Sequence, residues 1–450
     1  MKNFFAALIF LASSAASLAQ PYSVGSRTIT YTDPARNNRA IATEVYYPAT
    51  SAGNNAPVAM GEFPVVVFGH GFAMAVGAFQ NWREFLVPLG YIVAFPTTEG
   101  SLIPAPNHGN FGGDLAFLAQ KIQAENSNAS SPFFNHVLQR AALMGHSMGG
   151  GASFLGSSNN SNIKCVVGLA PAETDPLASV AATDVTVPAL ILHGNSDYVT
   201  VEADHALLIF NGLQNSCRNY VRILNGSHCY FANSNFNCDF GETSVGGAGS
   251  LSRVQQQAIS YAVVEPWLRY FLWDDCSAFA DFTNEISSNP GLGTNILSCP
   301  NDAPVIVDNN GTLESSVAPN YQWYLDGQPL SNEVLQQHAY TQTGTYQVGV
   351  VNVGTCEVLS NEIIISPTGI ANETNAFGFI QNRTNVSILL NSDARQLRTE
   401  WIDLSGKLLS SQSFADQKAG ITVTIALPDY QGLKLLRIDS AENQKVFKVF

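Results

Sequence analysis

The chain has 450 residues, which is enough for two to four domains of ordinary size. Hydrophobic residues make up 46% of the chain and charged residues only 12%, a composition that excludes disordered and fibrous proteins. The formal net charge of -14 would repel nucleic-acid phosphates and anionic lipids, so we expect no nucleic acid as a partner and favour an uncharged substrate.

The first elements of the chain predict export. Lys2 is followed by an apolar run at residues 4–11 and by small residues ending at Ala19, which is typical of a signal peptide over residues 1–19. No later run reaches the ~18 apolar residues of a membrane helix, so we expect no transmembrane span. The mature protein is therefore predicted to be secreted or held at the cell surface.

Residues 20–285 alternate short apolar runs with helix-like segments, which predicts a mostly parallel sheet covered by helices on both faces. The predicted strands are residues 65–68, 91–95, 141–144, 166–170, 189–192 and 220–224. The predicted helices are residues 76–87, 113–125, 148–155, 204–213 and 251–273. This order indicates a doubly wound α/β domain.

The run from Gly145 to Gly149 follows one of these strands and has the pattern Gly-x-Ser-x-Gly. In that pattern the serine occupies a strained turn between a strand and a helix, and the glycines let neighbouring backbone approach. An ester carbonyl is attacked poorly by a free hydroxyl, so such a serine needs a base and donors for the oxyanion. We predict Ser147 as the nucleophile; a glycine-rich turn with an incidental serine is the alternative.

The acid and the base are expected after later strands, in the order serine, acid, histidine that α/β-hydrolases use. Asp197 follows the strand predicted at residues 189–192, and His228 follows the strand predicted at residues 220–224. Asp197 could instead cap a turn or helix, as could Asp184 and Asp204. The remaining histidines precede the serine or fall within other predicted elements.

Two backbone amides are predicted to hold the oxyanion. The amide of Met148 opens the helix after the serine, and the amide of Phe72 lies in a glycine-containing loop after the strand predicted at residues 65–68. These groups suffice for the chemistry, so we expect neither a cofactor nor a metal.

On these motifs the domain resembles the bacterial cutinase and polyester-hydrolase group of α/β-hydrolases, and it shares features with chlorophyllase-like and dienelactone-hydrolase-like enzymes. The resemblance implies that Ser147 is the nucleophile, Asp197 orients the base, and His228 acts as general base and then acid. It also implies that Phe72 and Met148 form the oxyanion hole and one wall of the acyl site.

The chain departs from this group at one position that we expect to touch substrate. Where the group has a tryptophan that forms an aromatic clamp, this chain has Ala172. Stacking on an aromatic diacid is weaker without that ring, which leaves polyester hydrolysis open.

Beyond residue 285 the pattern changes to short strands without helices. Residues 286–367, with Trp323, resemble bacterial immunoglobulin-like β-sandwich modules, and this resemblance implies a disulfide between Cys299 and Cys356. Residues 368–450 resemble the C-terminal sorting domain of the type IX secretion system, which is a β-sandwich. This resemblance implies that the type IX secretion machinery is a partner.

Five of the chain's seven cysteines lie within the α/β domain. Cys165 lies in an apolar run and is expected to be the buried free thiol. Sequence does not settle connectivity, but a bridge between Cys229 and Cys238 would stiffen the loop of His228 and would leave Cys217 to pair with Cys276.

Together these features predict a secreted serine carboxylesterase that acts on a small-molecule or polymeric ester. One alternative is a non-enzymatic surface adhesion protein that retains a degenerate hydrolase scaffold. A lipase or a peptidase of the same fold is another, although residues 101–112 lack the amphipathic helix of a lipase lid.

Overall fold

The computed structural model of this protein describes residues 22–215, 217–309, 311–366, 377–381, 385–403, 406–428, 434–441 and 444–449. The predicted signal peptide and the predicted start of the sorting domain at residue 368 lie outside these residues. The chain forms two compact units, one reaching to Ile365 and one beginning at Ser366. Among the described residues, no helix combines the length and the apolar character needed to cross a membrane.

Within the described residues, the first unit contains a ten-stranded sheet. Its strands are β1 (Ser23–Asp33), β2 (Arg39–Ala49), β3 (Gly53–Asn54), β4 (Phe63–Gly69), β5 (Ile92–Pro96), β6 (Val137–His146), β7 (Cys165–Leu169), β8 (Ala189–Gly194), β9 (Arg218–Ile223) and β10 (Ile296–Ser298). Their order is β10-β9-β8-β7-β6-β4-β5-β2-β1-β3. Strands β4 to β9 are parallel, as predicted, whereas β1, β2 and β10 add antiparallel edges.

The helices cover both faces of this sheet. They are α1 (Gln80–Leu86), α2 (His108–Ala124), α3 (Met148–Ser157), α4 (Ala178–Ala181), α5 (Ala206–Gly212), α6 (Phe236–Val245), α7 (Arg253–Trp273) and α8 (Ala278–Ser288). Each of the five predicted helices is present with shifted ends, and α4, α6 and α8 were not predicted. Helix α6 contains Gly241 and is preceded by Asn235, whose side-chain oxygen accepts from the Cys238 amide. Glycine and asparagine are also common in turns, so the sequence of α6 resembles a loop.

Alternate residues of each central strand pack into two separate hydrophobic layers. Val66 and Phe68 of β4 face the layer that contains side chains of α1, α7 and α8, whereas Val65 and Val67 face the layer that contains side chains of α2, α3 and α5. Burial on both faces explains why these strands read as unbroken apolar runs.

The predicted free thiol and one predicted disulfide are confirmed. Cys165 is unpaired and buried among the apolar side chains of the first layer. Cys229 and Cys238 are bridged, which ties the start of α6 to the loop of His228. Disulfides suit an oxidising compartment outside the cytosol.

The other two predicted disulfides are wrong, because Cys217 pairs with Cys299 and Cys276 pairs with Cys356. The register of the sheet explains the first pair. Strand β10 runs antiparallel to β9 with Ser298 opposite Arg218, so Cys299, directly after β10, stands opposite Cys217, directly before β9. This register was not visible in the sequence because β10 lies beyond the predicted boundary at residue 285, which helix α8 crosses.

The rest of the first unit consists of short strands, namely β11 (Ile306–Asp308), β12 (Thr312–Ser315), β13 (Gln322–Leu325), β14 (Gln328–Pro329), β15 (Gln337–Ala339), β16 (Gly344–Val350), β17 (Val358–Leu359) and β18 (Ile363–Ile365). They form one sheet with the order β11-β12-β15 and another with the order β14-β13-β16-β17, in which β18 also pairs with β16. Leu313 of the first sheet and Trp323 of the second share one buried cluster.

The second unit contains strands β19 (Phe377–Gln381), β20 (Asn385–Leu390), β21 (Arg398–Asp403), β22 (Leu408–Ser413), β23 (Thr422–Ala426), β24 (Lys434–Asp439) and β25 (Gln444–Val449). Among the described residues of this unit, these strands form two sheets, with the orders β19-β20-β23 and β22-β21-β24-β25. Trp401 of one sheet and Ile388 of the other belong to the same apolar core.

Candidate active site

Ser147 occupies a strained turn between β6 and α3. Its backbone has φ 55° and ψ -121°, a conformation that non-glycine residues rarely adopt outside functional sites. The turn is held by its own backbone, since the Ser147 amide donates to the Leu169 carbonyl at 3.0 Å and the Ser147 carbonyl accepts from the Ala172 amide at 2.9 Å. The side chain is only half-buried, so the turn presents the serine at the carboxyl edge of the sheet.

The glycines on either side of the serine allow very close backbone contacts. A Cβ atom on Gly149 would lie 2.2 Å from the carbonyl group of Gly69, and one on Gly145 would lie 2.3 Å from the carbonyl oxygen of Gly149. Helix α3 therefore rests directly on the end of β4, where the loop that contains Phe72 begins.

Asp197 and His228 form a buried pair at the ends of neighbouring strands β8 and β9. Nδ1 of His228 lies 2.7 Å from Oδ2 of Asp197. The hydroxyl of Thr200 donates to the same carboxylate oxygen at 2.8 Å and lies 3.0 Å from Nδ1 of His228. The other oxygen of Asp197 accepts from the amides of Val199 and Thr200 at 2.9 and 2.8 Å. The carboxylate is thus fully engaged and fixes the orientation of the imidazole.

These contacts decide the charge of Asp197. Burial alone would raise the pKa of its carboxyl, but the charge and hydrogen bond of His228, with the nearby His193 and the Thr200 amide, lower that pKa well below its ordinary value. Asp197 therefore stays ionised and can stabilise a positive charge on the His228 ring.

The loop that carries His228 is clamped by α6 and α7. Gln256, which is fully buried, donates to the Ser227 carbonyl and accepts from the Ser227 amide, both at 2.8 Å. The buried carboxylate of Glu242 accepts from the Cys229 amide at 3.2 Å. Arg253 donates to the Cys229 carbonyl at 2.6 Å. Sequence reasoning did not find these residues, because they lie on helices after the histidine and belong to no catalytic motif.

Three other histidines near the site are buried as neutral groups. Burial lowers the pKa of His70 and of His193, and burial together with the neighbouring His228 lowers the pKa of His146 to about 3. Nε2 of His146 lies 2.9 Å from the carbonyl oxygen of His228, and the two rings are 4.7 Å apart. His146 therefore connects the turn of Ser147 to the loop of His228.

The two predicted oxyanion donors lie on segments that contact this turn. Met148 is the first residue of α3, where backbone amides have no partner within the helix. Phe72 follows Gly71, at which a Cβ atom would lie 3.1 Å from Nδ1 of His146. Phe72 itself is 49% exposed. Ala172, the third predicted substrate contact, is half-buried and hydrogen-bonded to the carbonyl of Ser147.

A family model described as PETase, PET hydrolase-like, matches residues 12–248, which is more than half of the chain. The chain belongs to this family. Membership implies an α/β-hydrolase, and the mostly parallel ten-stranded sheet of the described residues agrees with it.

Individual relatives cover shorter stretches. The bis(hydroxyethyl) terephthalate hydrolase of Streptomyces coelicolor is 24% identical over 186 residues, which are 41% of this chain and 54% of that protein. Cutinase 1 of Thermobifida cellulosilytica and the cutinase of Thermobifida fusca are each 32% identical over 164 residues, covering 29% of this chain and 60% and 52% of those proteins. The chain thus spans little more than half the length of these relatives.

The close contact of α3 with β4 makes a prediction about Gly149. We expect Gly149→Ala to lower the free energy of unfolding by about 1–3 kcal/mol, because the added methyl group must displace backbone at Gly69. Urea unfolding followed by tryptophan fluorescence measures this change. Gly241→Ala is the matched control, since a Cβ atom there meets no neighbour within 4 Å and a helical alanine is favoured over glycine. Equal stability of both variants would contradict the packing described.

The lowered pKa of Asp197 predicts a pH-dependent stability. An ionised carboxyl whose pKa is lower in the folded chain stabilises that chain above its ordinary pKa of 3.8, and the contribution falls as the pH drops below this value. We expect Asp197→Asn to lose more unfolding free energy at pH 5 than at pH 3, in urea titrations at both values. The exposed Asp184 provides the control Asp184→Asn, and a loss for Asp197→Asn that does not change with pH would refute the expectation.

Proposed function

We propose that this protein is an exported serine carboxylesterase of cutinase type. The observation that carries the proposal is the 2.7 Å contact between His228 and the buried, ionised Asp197. The carbonyl of His228 is hydrogen-bonded to His146, which directly precedes the serine in its strained turn. The named activities of the relatives, cutinases and a bis(hydroxyethyl) terephthalate hydrolase, support an ester as the substrate.

In the proposed reaction, His228 removes the proton of the Ser147 hydroxyl while the serine oxygen forms a bond to the ester carbonyl carbon. Asp197 stabilises the imidazolium that results, and the amides of Phe72 and Met148 donate to the oxyanion. The tetrahedral intermediate collapses, the carbon–oxygen bond to the alcohol breaks, and His228 protonates the departing alcohol. Water then repeats the sequence on the acyl-enzyme and releases the acid.

The substrate pocket is proposed to lie between Phe72 and Ala172. Phe72 is half-exposed and would offer an apolar wall beside the serine, and the small side chain of Ala172 would leave the opposite side open. Short acyl groups and the repeating units of polyesters both suit such a pocket, and no cofactor or metal enters the chemistry.

The remainder of the chain is proposed to serve export and attachment. A signal peptide at residues 1–19 would direct the chain across the inner membrane, and a type IX sorting domain from about residue 368 would address it to that secretion machinery. The intervening strands would form an immunoglobulin-like module. Its first strand-forming residues lie after Cys299, because β10 still pairs with β9 of the main sheet.

Ser147→Ala tests the proposed nucleophile. We expect it to reduce hydrolysis of p-nitrophenyl butyrate by at least about a thousandfold and to abolish labelling by a fluorophosphonate, because no other group can carry the acyl intermediate. The exposed Ser161 supplies the control Ser161→Ala, which should keep both signals. Activity and labelling that survive Ser147→Ala would overturn the assignment, and an unlabelled wild type would favour the adhesion protein.

A further inference from the structure

Helix α6 bridges the loops of the candidate active site. At its first turn, Nδ2 of Asn237 donates to the Ala73 carbonyl at 2.7 Å, next to Phe72. Just after its end, a Cβ atom on Gly246 would lie 3.1 Å from the ring of Tyr198, which follows Asp197 in the chain. Between these points the Cys229–Cys238 disulfide fastens the helix to the loop of His228. The helix therefore forms part of the rim around the proposed cleft.

The outer face of α6 carries two large aromatic rings in water. Phe236 and Phe240 are 80% and 66% exposed, their ring centroids are 5.8 Å apart, and their ring planes are inclined at 17°. Spacing by four residues places them one above the other on the same helical face. Exposed apolar patches of this kind mark binding surfaces in soluble proteins.

This face is also uncharged, although the whole chain carries a net charge of -14. Asp239 is paired with Arg253 at 2.6 Å, and Glu242 points inward and is buried. The other exposed side chains of the helix are the neutral ones of Asn237, Thr243, Ser244 and Val245. Because this face carries no unpaired cation, it does not attract anionic lipid headgroups. Its exposed phenylalanines and neutral side chains suit an uncharged, largely apolar ligand.

We propose that Phe236 and Phe240 form a docking surface for the uncharged chain of an aromatic polyester, continuous with the exposed rings of Phe72 and Tyr198. This inference rests on the proposed esterase function and specifies its substrate as a polymer. Two nearly parallel rings present flat faces on which planar aromatic units pack. Phe72 and Tyr198 are 49% and 54% exposed, and they lie on or beside the two loop segments that the ends of α6 meet.

A surface of this kind serves a polymer rather than a small ester. A short soluble ester is held entirely within the cleft at Ser147, so it gains nothing from rings on the rim. An extended chain or a solid surface contacts cleft and rim together, and the second contact raises the effective concentration of ester bonds at the serine. The docking surface therefore compensates for the aromatic clamp that Ala172 lacks.

Adsorption tests the surface without chemistry. In a Ser147→Ala background, we expect Phe236→Ala/Phe240→Ala to bind amorphous poly(ethylene terephthalate) particles about ten-fold more weakly than the parent, because two aromatic contacts are lost. The control is Phe134→Ala, which removes a 39% exposed ring that precedes β6 and so lies at the end of this strand opposite Ser147. Phe236→Tyr/Phe240→Tyr keeps both rings and should retain adsorption within about two-fold. This variant shows whether the loss in the alanine variant comes from the missing rings or from destabilisation of α6.

Turnover provides the second measurement. In otherwise wild-type protein, Phe236→Ala/Phe240→Ala should release products from the same particles about ten-fold more slowly while hydrolysing p-nitrophenyl butyrate at the parental rate. Unchanged adsorption and polymer turnover would overturn the inference, as would an equal loss on the soluble ester. Binding of phosphatidylcholine vesicles instead of particles, or a parental dimer that the substitution dissociates, would also overturn it. A wild type inactive on p-nitrophenyl butyrate refutes the proposed function, whereas adsorption still reports on the docking surface.

Discussion

The contact between helix α3 and the end of strand β4 is the constraint on which the rest of the site depends. Gly149 and Gly69 meet at a distance that excludes any side chain, and this contact sets the direction in which the helix leaves the strained turn of Ser147. The same strand end begins the loop of Phe72. A single backbone contact therefore positions the serine, the first amide of the helix and the second proposed oxyanion donor relative to one another.

The acid and the histidine depend on different sets of contacts, and only those of the histidine come from far along the chain. Asp197 is held by the amides and hydroxyl that follow it within three residues, so its position is a local property of one turn. His228 is held instead by Gln256, Glu242 and a disulfide, which belong to two later helices. Helix α6 contributes to this clamp with its inner face and carries the exposed phenylalanines on its outer face. Helix α6 thus helps to position His228 and also carries the proposed docking surface for polymer.

The strands after residue 300 are attached to the α/β layers within the first unit. The Cys276–Cys356 disulfide crosses from the start of α8 to the loop between β16 and β17. The hydroxyl of Tyr270 donates to the Val353 carbonyl at 3.0 Å, and Val353 and Cys356 belong to the same buried cluster as the helices α7 and α8. The Cys217–Cys299 and Cys276–Cys356 disulfides each join a residue of the α/β layers to a residue beyond the predicted boundary at residue 285. They therefore link the two segments covalently, and neither bridge lies within one segment.

The sequence by itself determined the six parallel strands, because strands buried on both faces must be continuous apolar runs. It also determined the fold class, because helix-like segments alternate with these runs along the chain. It also placed Ser147, Asp197 and His228 after strand ends, where residues of a parallel sheet converge. Only the tertiary structure decided that Cys217 pairs with Cys299, since this pairing depends on the register of β10 against β9. It alone also revealed α6, whose turn-like sequence folds as a helix that is tied to the nearby Cys229 by a disulfide and whose ends meet Ala73 and Tyr198, which lie far away in the chain.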